Sequence, residues 1–312
     1  MLKKFTIIIL IFLFNGSLLA STPFTVENIE TISLNDQYLI AAKWSPDGKY
    51  IAAAGKNYGS LWLYHVEAGE CQKLIEENGA GWDFDWSPDS RKIAFRSNKF
   101  IKRRKQTTIK YVDIMTGKAE KIADYGRDFS TPKWLTANTL AFIQKEKLKT
   151  VSISENALMK PASNIQPKNV PLFSNKGIYI SKSNRTLQLL EPLKGQTFNV
   201  SFSPDGNTIL FEKSDGNIYT CRENGDEVNL IAEGEMPAWS PDDKFIVYAT
   251  PKDDGYDIVT SDIVICDANG NNKQQITKTE DELELRPHWS PDGKKIVCDS
   301  EGKLLLITLK ME

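Results

Sequence analysis

The sequence holds few side chains that could catalyse a reaction. It has only two histidines, His65 and His288, and they lie far apart in the chain. A serine or cysteine nucleophile needs a base beside it. The sequence has no Gly-x-Ser-x-Gly elbow, no Gly-x-x-x-x-Gly-Lys phosphate loop, no HExxH helix and no EF-hand loop. We therefore predict no catalytic residues, no metal site and no cofactor.

Charged stretches are the stronger candidates for binding. Residues 98–106 are basic and include Lys102, Arg103 and Arg104 beside two apolar residues, Phe100 and Ile101. Residues 252–262 and 279–284 are acidic, and the aspartates around Gly255 could in principle bind Ca²⁺. We interpret these stretches as solvated loops. A face with both signs of charge would orient a protein or a charged ligand.

A repeated stretch determines where these side chains lie. It consists of an aromatic residue, a Ser-Pro-Asp turn and an apolar strand, and Trp289 to Val297 is the clearest copy. Close copies occupy residues 44–52, 86–94, 202–210 and 239–247, and a copy at 134–142 has lost the Pro-Asp-Gly turn. Proline presets φ, serine and aspartate bond the local backbone, and glycine accepts positive φ. Each copy therefore predicts a tight β-hairpin.

Each repeat continues into two further strands, so the repeat unit is a four-stranded antiparallel sheet. Such a sheet, apolar on both faces, is stable only when it packs on copies of itself. The fold class that we predict is therefore all-β, a β-propeller. About 292 residues divided by seven give about 42 per blade, near the usual 40–45. We favour seven blades with one reduced, near residues 171–180, over six blades with an insertion between residues 156 and 171.

The two ends of the chain are predicted to close the ring. The last repeat ends after its third strand, whereas residues 24–32 form a spare strand before the first repeat. Pairing these two segments would complete the last blade and remove exposed strand edges.

This architecture predicts a second group of binding residues near the mouth of the central channel. His288 directly precedes Trp289 on an innermost strand and follows Arg286 closely. The other members lie on strands or loops that lead into the channel, and they are Asp83, Arg96, Arg127, Asp128 and Glu235.

The repeated Trp-Ser-Pro-Asp-Gly-Lys-x-Ile-Ala pattern, with Asp-x-x-Gly turns such as residues 267–270, resembles the TolB-like family of WD-repeat-like propellers. The resemblance covers nearly all of the mature chain. It implies a propeller-only relative, since TolB itself has an N-terminal domain before the propeller. Related propellers gate prolyl-oligopeptidase-type peptidases, and oligogalacturonate lyases use a multi-histidine metal site, which two separated histidines cannot supply.

The N-terminus indicates export. Lys3 and Lys4 precede an apolar run and a small-residue exit at Ala20, which is typical of a secretory signal peptide over residues 1–20. The apolar core of about ten residues is short for a membrane span, which needs roughly 20. Ser21 stands where a lipoprotein would need cysteine. We predict a periplasmic or secreted protein with one propeller domain over residues 21–312.

The remaining composition is unremarkable for an exported binding protein. The formal net charge of −2 becomes −4 without Lys3 and Lys4, which gives no support to nucleic-acid binding. The four cysteines lie in different repeats without CxxC spacing, so we expect free, buried thiols. We expect a monomer that binds a protein or peptide partner of the cell envelope through one loop face. The alternative is a channel-site enzyme or a binder of small carbohydrates or peptides.

Overall fold

The computed structural model describes residues 23–34, 37–153, 160–161, 171–174, 177–181, 187–190, 197–279 and 282–311. The predicted signal peptide lies outside the described residues. Within them the chain is built from β-strands, with one 3₁₀ turn at Lys56–Tyr58. The described residues include no helix that is long and apolar enough to cross a membrane.

Three four-stranded blades follow the N-terminal strand β1 (Phe24–Ile32). The first blade contains β2 (Ile40–Trp44), β3 (Tyr50–Ala54), β4 (Ser60–His65) and β5 (Glu70–Glu76). The second contains β6 (Asp85–Trp86), β7 (Lys92–Ile101), β8 (Arg104–Asp113) and β9 (Ala119–Lys121). The third contains β10 (Lys133–Thr136), β11 (Thr139–Gln144), β12 (Lys147–Ser152) and β13 (Lys160–Pro161). All strand pairs within the blades are antiparallel.

A three-stranded sheet comes next, with β14 (Pro171–Ser174), β15 (Gly177–Ser181) and β16 (Leu187–Leu189). The fourth blade contains β17 (Thr197–Phe202), β18 (Thr208–Lys213), β19 (Asn217–Arg222) and β20 (Asn229–Glu233). The fifth contains β21 (Glu235–Trp239), β22 (Phe245–Asp253), β23 (Ile258–Asp267) and β24 (Gln274–Gln275). The sixth contains β25 (Glu284–Trp289), β26 (Lys295–Ser300) and β27 (Lys303–Met311), completed by β1.

The propeller fold is confirmed, but the favoured number of blades is corrected. The described residues form six four-stranded blades, which is the number given by the alternative interpretation. The three-stranded sheet occupies the segment where we placed a reduced seventh unit, and its first strand contacts both β11 and β17. Within the described residues this sheet has three strands, one fewer than each of the six blades.

The two ends of the chain close the ring, as the sequence predicts. Strand β1 pairs antiparallel with β27 from Phe24 opposite Met311 to Ile32 opposite Leu304. Phe24 is 2% exposed, and its ring packs 4.8 Å from that of Phe245 and 5.7 Å from that of Trp289. One end of the chain therefore stabilises the interface between the fifth and sixth blades.

The hydrophobic core is divided among the interfaces between neighbouring blades. One cluster joins Ala52 and Leu61 of the first blade to Phe84 and Phe95 of the second. Similar clusters join the second blade to the third, the fourth to the fifth, and the sixth to the first. Because each blade face is buried only by its neighbour, no blade has a core of its own.

The repeated turn is held by the hydroxyl of its serine. In the sixth blade, Ser290 Oγ donates to Asp292 Oδ1 at 2.6 Å and accepts the N–H of Lys295 at 2.8 Å. The same two bonds recur at Ser45, Ser87, Ser203 and Ser240. Gly293 has a φ of 69°, as the turn requires. These bonds explain why the pattern recurs, since each copy closes one hairpin.

The tryptophans before the turns pack between blades, but their indoles are not equivalent. Trp86 Nε1 donates to the carbonyl of Lys43 at 3.2 Å, and Trp134 Nε1 donates to that of Asp85 at 3.2 Å. Among the described residues, the indole nitrogens of Trp44, Trp239 and Trp289 are buried without a hydrogen-bond partner.

The cysteines are free, which confirms the sequence prediction. Cys221, Cys266 and Cys298 are buried and Cys71 is partly buried. Burial raises the pKa of Cys71 to about 11 and that of Cys266 to about 12. These thiols are therefore protonated and act as small apolar side chains.

Ring closure can be tested with a substitution in β1. We expect Phe24→Ala to lower the free energy of unfolding by about 3 kcal/mol, because it leaves a cavity between the fifth and sixth blades. Ile29→Ala on the same strand is the control, since Ile29 is 46% exposed and should cost under about 1 kcal/mol. Urea unfolding measures both, and equal losses would show that β1 adds no packing to the ring.

The two kinds of indole can be compared directly. Trp86→Phe should cost about 1 kcal/mol more of unfolding free energy than Trp44→Phe, because only Trp86 donates a hydrogen bond that the substitution removes. Thermal and urea unfolding measure the difference. A larger loss for Trp44→Phe would contradict this assignment.

Candidate functional site

The blades place two candidate sites, the central channel and one face of the ring. The first strand of each blade lines the channel. The Ser-Pro turns between first and second strands lie at one end, which we call the turn face. The connections between second and third strands, and those leading into each first strand, lie at the other end, which we call the loop face.

Ion pairs join the first three blades across the channel wall. Lys43 Nζ donates to Asp83 Oδ1 and to the carbonyl of Phe84, both at 2.9 Å. Lys133 Nζ lies 3.3 Å from Asp85 Oδ1, and Asp85 Oδ2 accepts the N–H of Trp134 at 2.8 Å. Each pair links one blade to the next, so these charges hold the inner wall together.

The channel changes the ionisation of these groups. Burial alone would raise the pKa of Asp83, but the charges of Lys43, Lys133 and Arg96 lower it well below its usual range. Burial opposes the charge of Lys133, but Asp85 and Asp83 raise its pKa above the usual range. The side chain of Asp83 is nevertheless 37% exposed. It is surrounded by protein but faces the open channel.

A kink in the inner strands positions several of these side chains. Ala41, Asp83, Asn199, Met236 and Arg286 all have φ between 47° and 55°, each three residues before the aromatic of its repeat. In four of these blades the strand register shifts at this point, as a β-bulge does.

Buried carboxylates hold two of the bulges. Asp299 Oδ1 of the sixth blade accepts the N–H of Ala41 in the first blade at 3.0 Å. Glu212 Oε2 of the fourth blade accepts the N–H of Met236 in the fifth at 2.8 Å. Both carboxylates occupy the same place in the repeat, where the apolar run of the second strand ends. The bulge of one blade is thus fixed by a charged side chain of the blade before it.

Arg286 and Asp299 form a second charged group in the sixth blade. Arg286 Nη1 lies 2.7 Å from Asp299 Oδ2, and the side chain of Asp299 is only 4% exposed. Burial raises the pKa of Asp299 to about 6, although Arg286 and the bond from Ala41 act in the opposite direction. The predicted site residue Arg286 is therefore already paired.

His288 lies in a cavity at the turn face of the channel. The cavity has a volume of about 340 Å³ and is lined by Lys43, Asp85, His288, four tryptophans and the prolines of three turns. Burial lowers the pKa of His288 to about 4, and the charge of Lys43 acts in the same direction. His288 Nδ1 lies 3.1 Å from the carbonyl oxygen of Trp289. The imidazole is neutral at pH 7, and among the described residues no carboxylate is hydrogen-bonded to its ring.

The remaining predicted channel residues lie in three places. Arg96 is on β7, where burial lowers its pKa and the charge of Asp83 opposes that change. Glu235 begins β21, and burial together with the charge of Glu212 raises its pKa. Arg127 and Asp128 are exposed in the connection to β10. The structure therefore brings Asp83 and Arg96 together and leaves the others apart.

The basic stretch is a paired β-hairpin and not the loop that the sequence suggested. Strands β7 and β8 pair to the tip, from Asn98 opposite Thr107 to Ile101 opposite Arg104. Lys102 and Arg103 have φ of 49° and 62°, as a two-residue type I′ turn requires. We call residues 98–107 the basic arm. Because most residues of this stretch are charged or polar, the sequence did not indicate that they form two paired strands.

The acidic stretch at residues 252–260 is also a hairpin, with Lys252 paired to Thr260. We call it the acidic arm. Asp254 Oδ1 accepts the N–H groups of Tyr256 and Asp257 at 2.9 and 3.0 Å, so this carboxylate shapes the turn. The described residues contain no group of histidine, cysteine, aspartate or glutamate side chains that could hold a metal ion.

We predicted a solvated acidic loop at residues 279–284, but its last residue begins a strand. Glu284 is fully buried on β25 and accepts hydrogen bonds from Thr277 and Thr279. Residues 280 and 281 lie outside the described residues.

Sequence reasoning passed over five charged residues of the site. They are Lys43, Asp85, Lys133, Glu212 and Asp299. Two signals could have found them. Lys43, Asp85 and Lys133 directly precede the aromatic of a repeat, as His288 does, and Glu212 and Asp299 end an apolar run at the position that Arg96 fills in the second blade.

No family model matches the chain. Dipeptidyl-peptidase 5 of Porphyromonas gingivalis is 25% identical over 292 residues, which cover 86% of this chain and 39% of that protein. TolB from Acinetobacter baumannii is 18% identical with a TM-score of 0.57, and the match covers 85% of this chain and 60% of that chain. The β-propeller domain of Cps50 (Swd1) from Myceliophteria thermophila is 12% identical with a TM-score of 0.62, over 92% of this chain and 99% of that domain.

The fold is that of the TolB and WD40 propellers. This confirms the resemblance in the repeated turns at the level of architecture. The match therefore spans 39% of the length of dipeptidyl-peptidase 5 and 60% of that of TolB, each less than two thirds. The likeness of fold leaves the activity of this chain to be argued from its own residues.

The partly buried imidazole of His288 should make the stability of the fold depend on pH. His288 has a lower pKa in the folded state than the ordinary 6.5, so the unfolded chain binds its proton more readily. The contribution of His288 to the free energy of unfolding is therefore fully present above pH 6.5, and it is lost as the pH falls towards 4. We expect wild type to lose about 2 kcal/mol more than His288→Gln between pH 7 and 4.5.

Urea unfolding at the two pH values measures this loss. Asp299 has a raised pKa and therefore changes stability in the opposite direction, but it does so in both proteins and cancels in the comparison. His65→Gln serves as the control for loss of a histidine. Parallel pH dependence of wild type and His288→Gln would refute the assignment.

Proposed function

We propose that this chain is a non-catalytic scaffold that binds a protein or peptide partner through its loop face. The observation that carries the proposal is the basic arm. Its tip presents Phe100, which is 72% exposed, and Ile101, which is 38% exposed, among five lysine and arginine side chains. Exposed apolar side chains beside charges are typical of a surface that another protein covers.

The base of the arm is held by hydrogen bonds to two neighbouring segments, which favours a binding role. Thr107 exchanges both backbone hydrogen bonds with Gly126, at 2.8 and 2.9 Å, and its hydroxyl donates to Asn98 at 2.7 Å. Asn98 N donates to the carbonyl of Asn78 at 2.8 Å on the other side. Lys99 Nζ lies 3.4 Å from the ring centre of Tyr125. A preorganised arm loses little conformational entropy when a partner binds.

The channel gives less support to catalysis. Its strongest charges are already paired, as Lys43 with Asp83, Lys133 with Asp85 and Arg286 with Asp299. In the part of the chain that the structure describes, no nucleophile is hydrogen-bonded to the ring of His288. The exported location, with the partner in the cell envelope, follows from the signal-like N-terminus and belongs to this proposal.

A second candidate function is binding of a small ligand in the cavity at the turn face. Trp44, Trp86, Trp239 and Trp289 line that cavity together with charged side chains. Aromatic walls with a few polar groups suit a sugar or a short peptide. A thermal-shift screen with oligosaccharides and peptides tests this candidate, and His288→Ala should abolish any stabilisation that such a ligand produces.

The main proposal is tested by reversing the charge of the basic arm. Tagged wild type should capture partners from an envelope extract, and Lys102→Glu/Arg103→Glu/Arg104→Glu should recover them at least tenfold less, since the charged tip contacts the partner. The matched control reverses three exposed basic residues of the turn face, Lys49, Arg91 and Lys294. Identical capture by all three proteins would sink the proposal.

A further inference from the structure

The loop face carries two long hairpins of opposite charge. The basic arm has Lys99, Lys102, Arg103, Arg104 and Lys105 and no acidic residue. The acidic arm has Asp253, Asp254 and Asp257 and one base, Lys252. The strands that form the arms, β7 with β8 and β22 with β23, have nine or ten residues each, whereas the neighbouring β3 and β4 have five and six.

Both arms expose apolar side chains close to their charges. In the basic arm these are Phe100 and Ile101. In the acidic arm they are Tyr256, which is 95% exposed, Ile258 and Val259. A face with positive charges alone would suit an anionic lipid surface. Two arms of opposite sign suit a protein surface that carries both signs.

The opposite charges of the two arms make the loop face of one copy complementary to the loop face of a second copy. The arms belong to the second and fifth blades, and both extend from the connection between second and third strands. Any two points at the rim of one face are exchanged by a twofold axis that lies parallel to the ring, just beyond that face, and passes midway between them. Two copies related by this axis meet face to face and form an isologous contact.

We propose that the partner of the loop face is a second copy of this chain. The basic arm of each copy contacts the acidic arm of the other, so that the same contact forms twice. This inference rests on the proposed function and names the partner of that site, in place of the monomer expected from the sequence. The exposed edges of the arms add backbone groups that can pair when the arms meet.

Sedimentation equilibrium tests the proposal. Wild type should be a dimer at micromolar concentration in low salt, and 0.5 M NaCl should weaken the dimer at least tenfold because the contacts are exposed ion pairs. Lys102→Glu/Arg103→Glu/Arg104→Glu and, separately, Asp253→Lys/Asp257→Lys should each be monomeric. Asp254 is kept, because it holds its turn.

Mixing the two variants gives the decisive result. The first variant has two acidic arms and the second has two basic arms, so an equal mixture should restore a dimer although neither variant forms one alone. Circular dichroism and melting temperatures show that both variants are folded. Loss of the dimer in each variant without restoration in the mixture would overturn the arm-to-arm contact.

The outcome also separates this inference from the proposed function. A wild-type protein that stays monomeric at all concentrations, but whose capture of other proteins still depends on the basic arm, overturns self-association and leaves the partner-binding role intact. If neither self-association nor capture depends on the arm, both proposals fail.

Discussion

The pairing of β1 with β27 is the interaction on which the rest of the structure depends. Every blade buries its faces only against its neighbours, so an open ring would leave two apolar faces and two strand edges in water. Phe24 shows how the closing strand does more than pair, since its ring fills the interface between the fifth and sixth blades. A closed ring fixes the spacing of all loops, and the two arms keep their positions for that reason.

Ion pairs and hydrogen bonds of charged side chains hold the inner wall together, whereas hydrophobic packing holds the outer parts of the blades together. The first strands lie close together around the channel, and their bulges leave N–H groups that need acceptors. Asp299 and Glu212 supply these acceptors from the preceding blade. The ion pairs of Lys43 and Lys133 join the next two interfaces. These charged side chains therefore serve to hold the inner wall of the ring together.

Much of the fold follows from local sequence, because the Ser-Pro-Asp turn closes a hairpin by itself. The propeller fold could be predicted from these turns, and the closure of β1 with β27 could be predicted from the last repeat, which ends after its third strand. The number of complete blades could not, since residues 171–189 lack the turn signature and yield three strands. The hydrogen bond that Asp299 accepts from Ala41 could not be predicted either, because it joins segments that are far apart in the sequence. For the hairpin at residues 98–107 the sequence suggested a loop, because its residues are mostly charged or polar.

The central claim is that two copies of the chain bind each other through the arms of the loop face. Amide hydrogen exchange of the wild-type protein tests it most directly, measured at nanomolar and at tens of micromolar concentration. The account predicts that exchange slows at the higher concentration in residues 99–105 and 253–260 and stays unchanged in the Ser-Pro turns. Slower exchange confined to the turn face would contradict it, as would equal exchange of the arms at both concentrations.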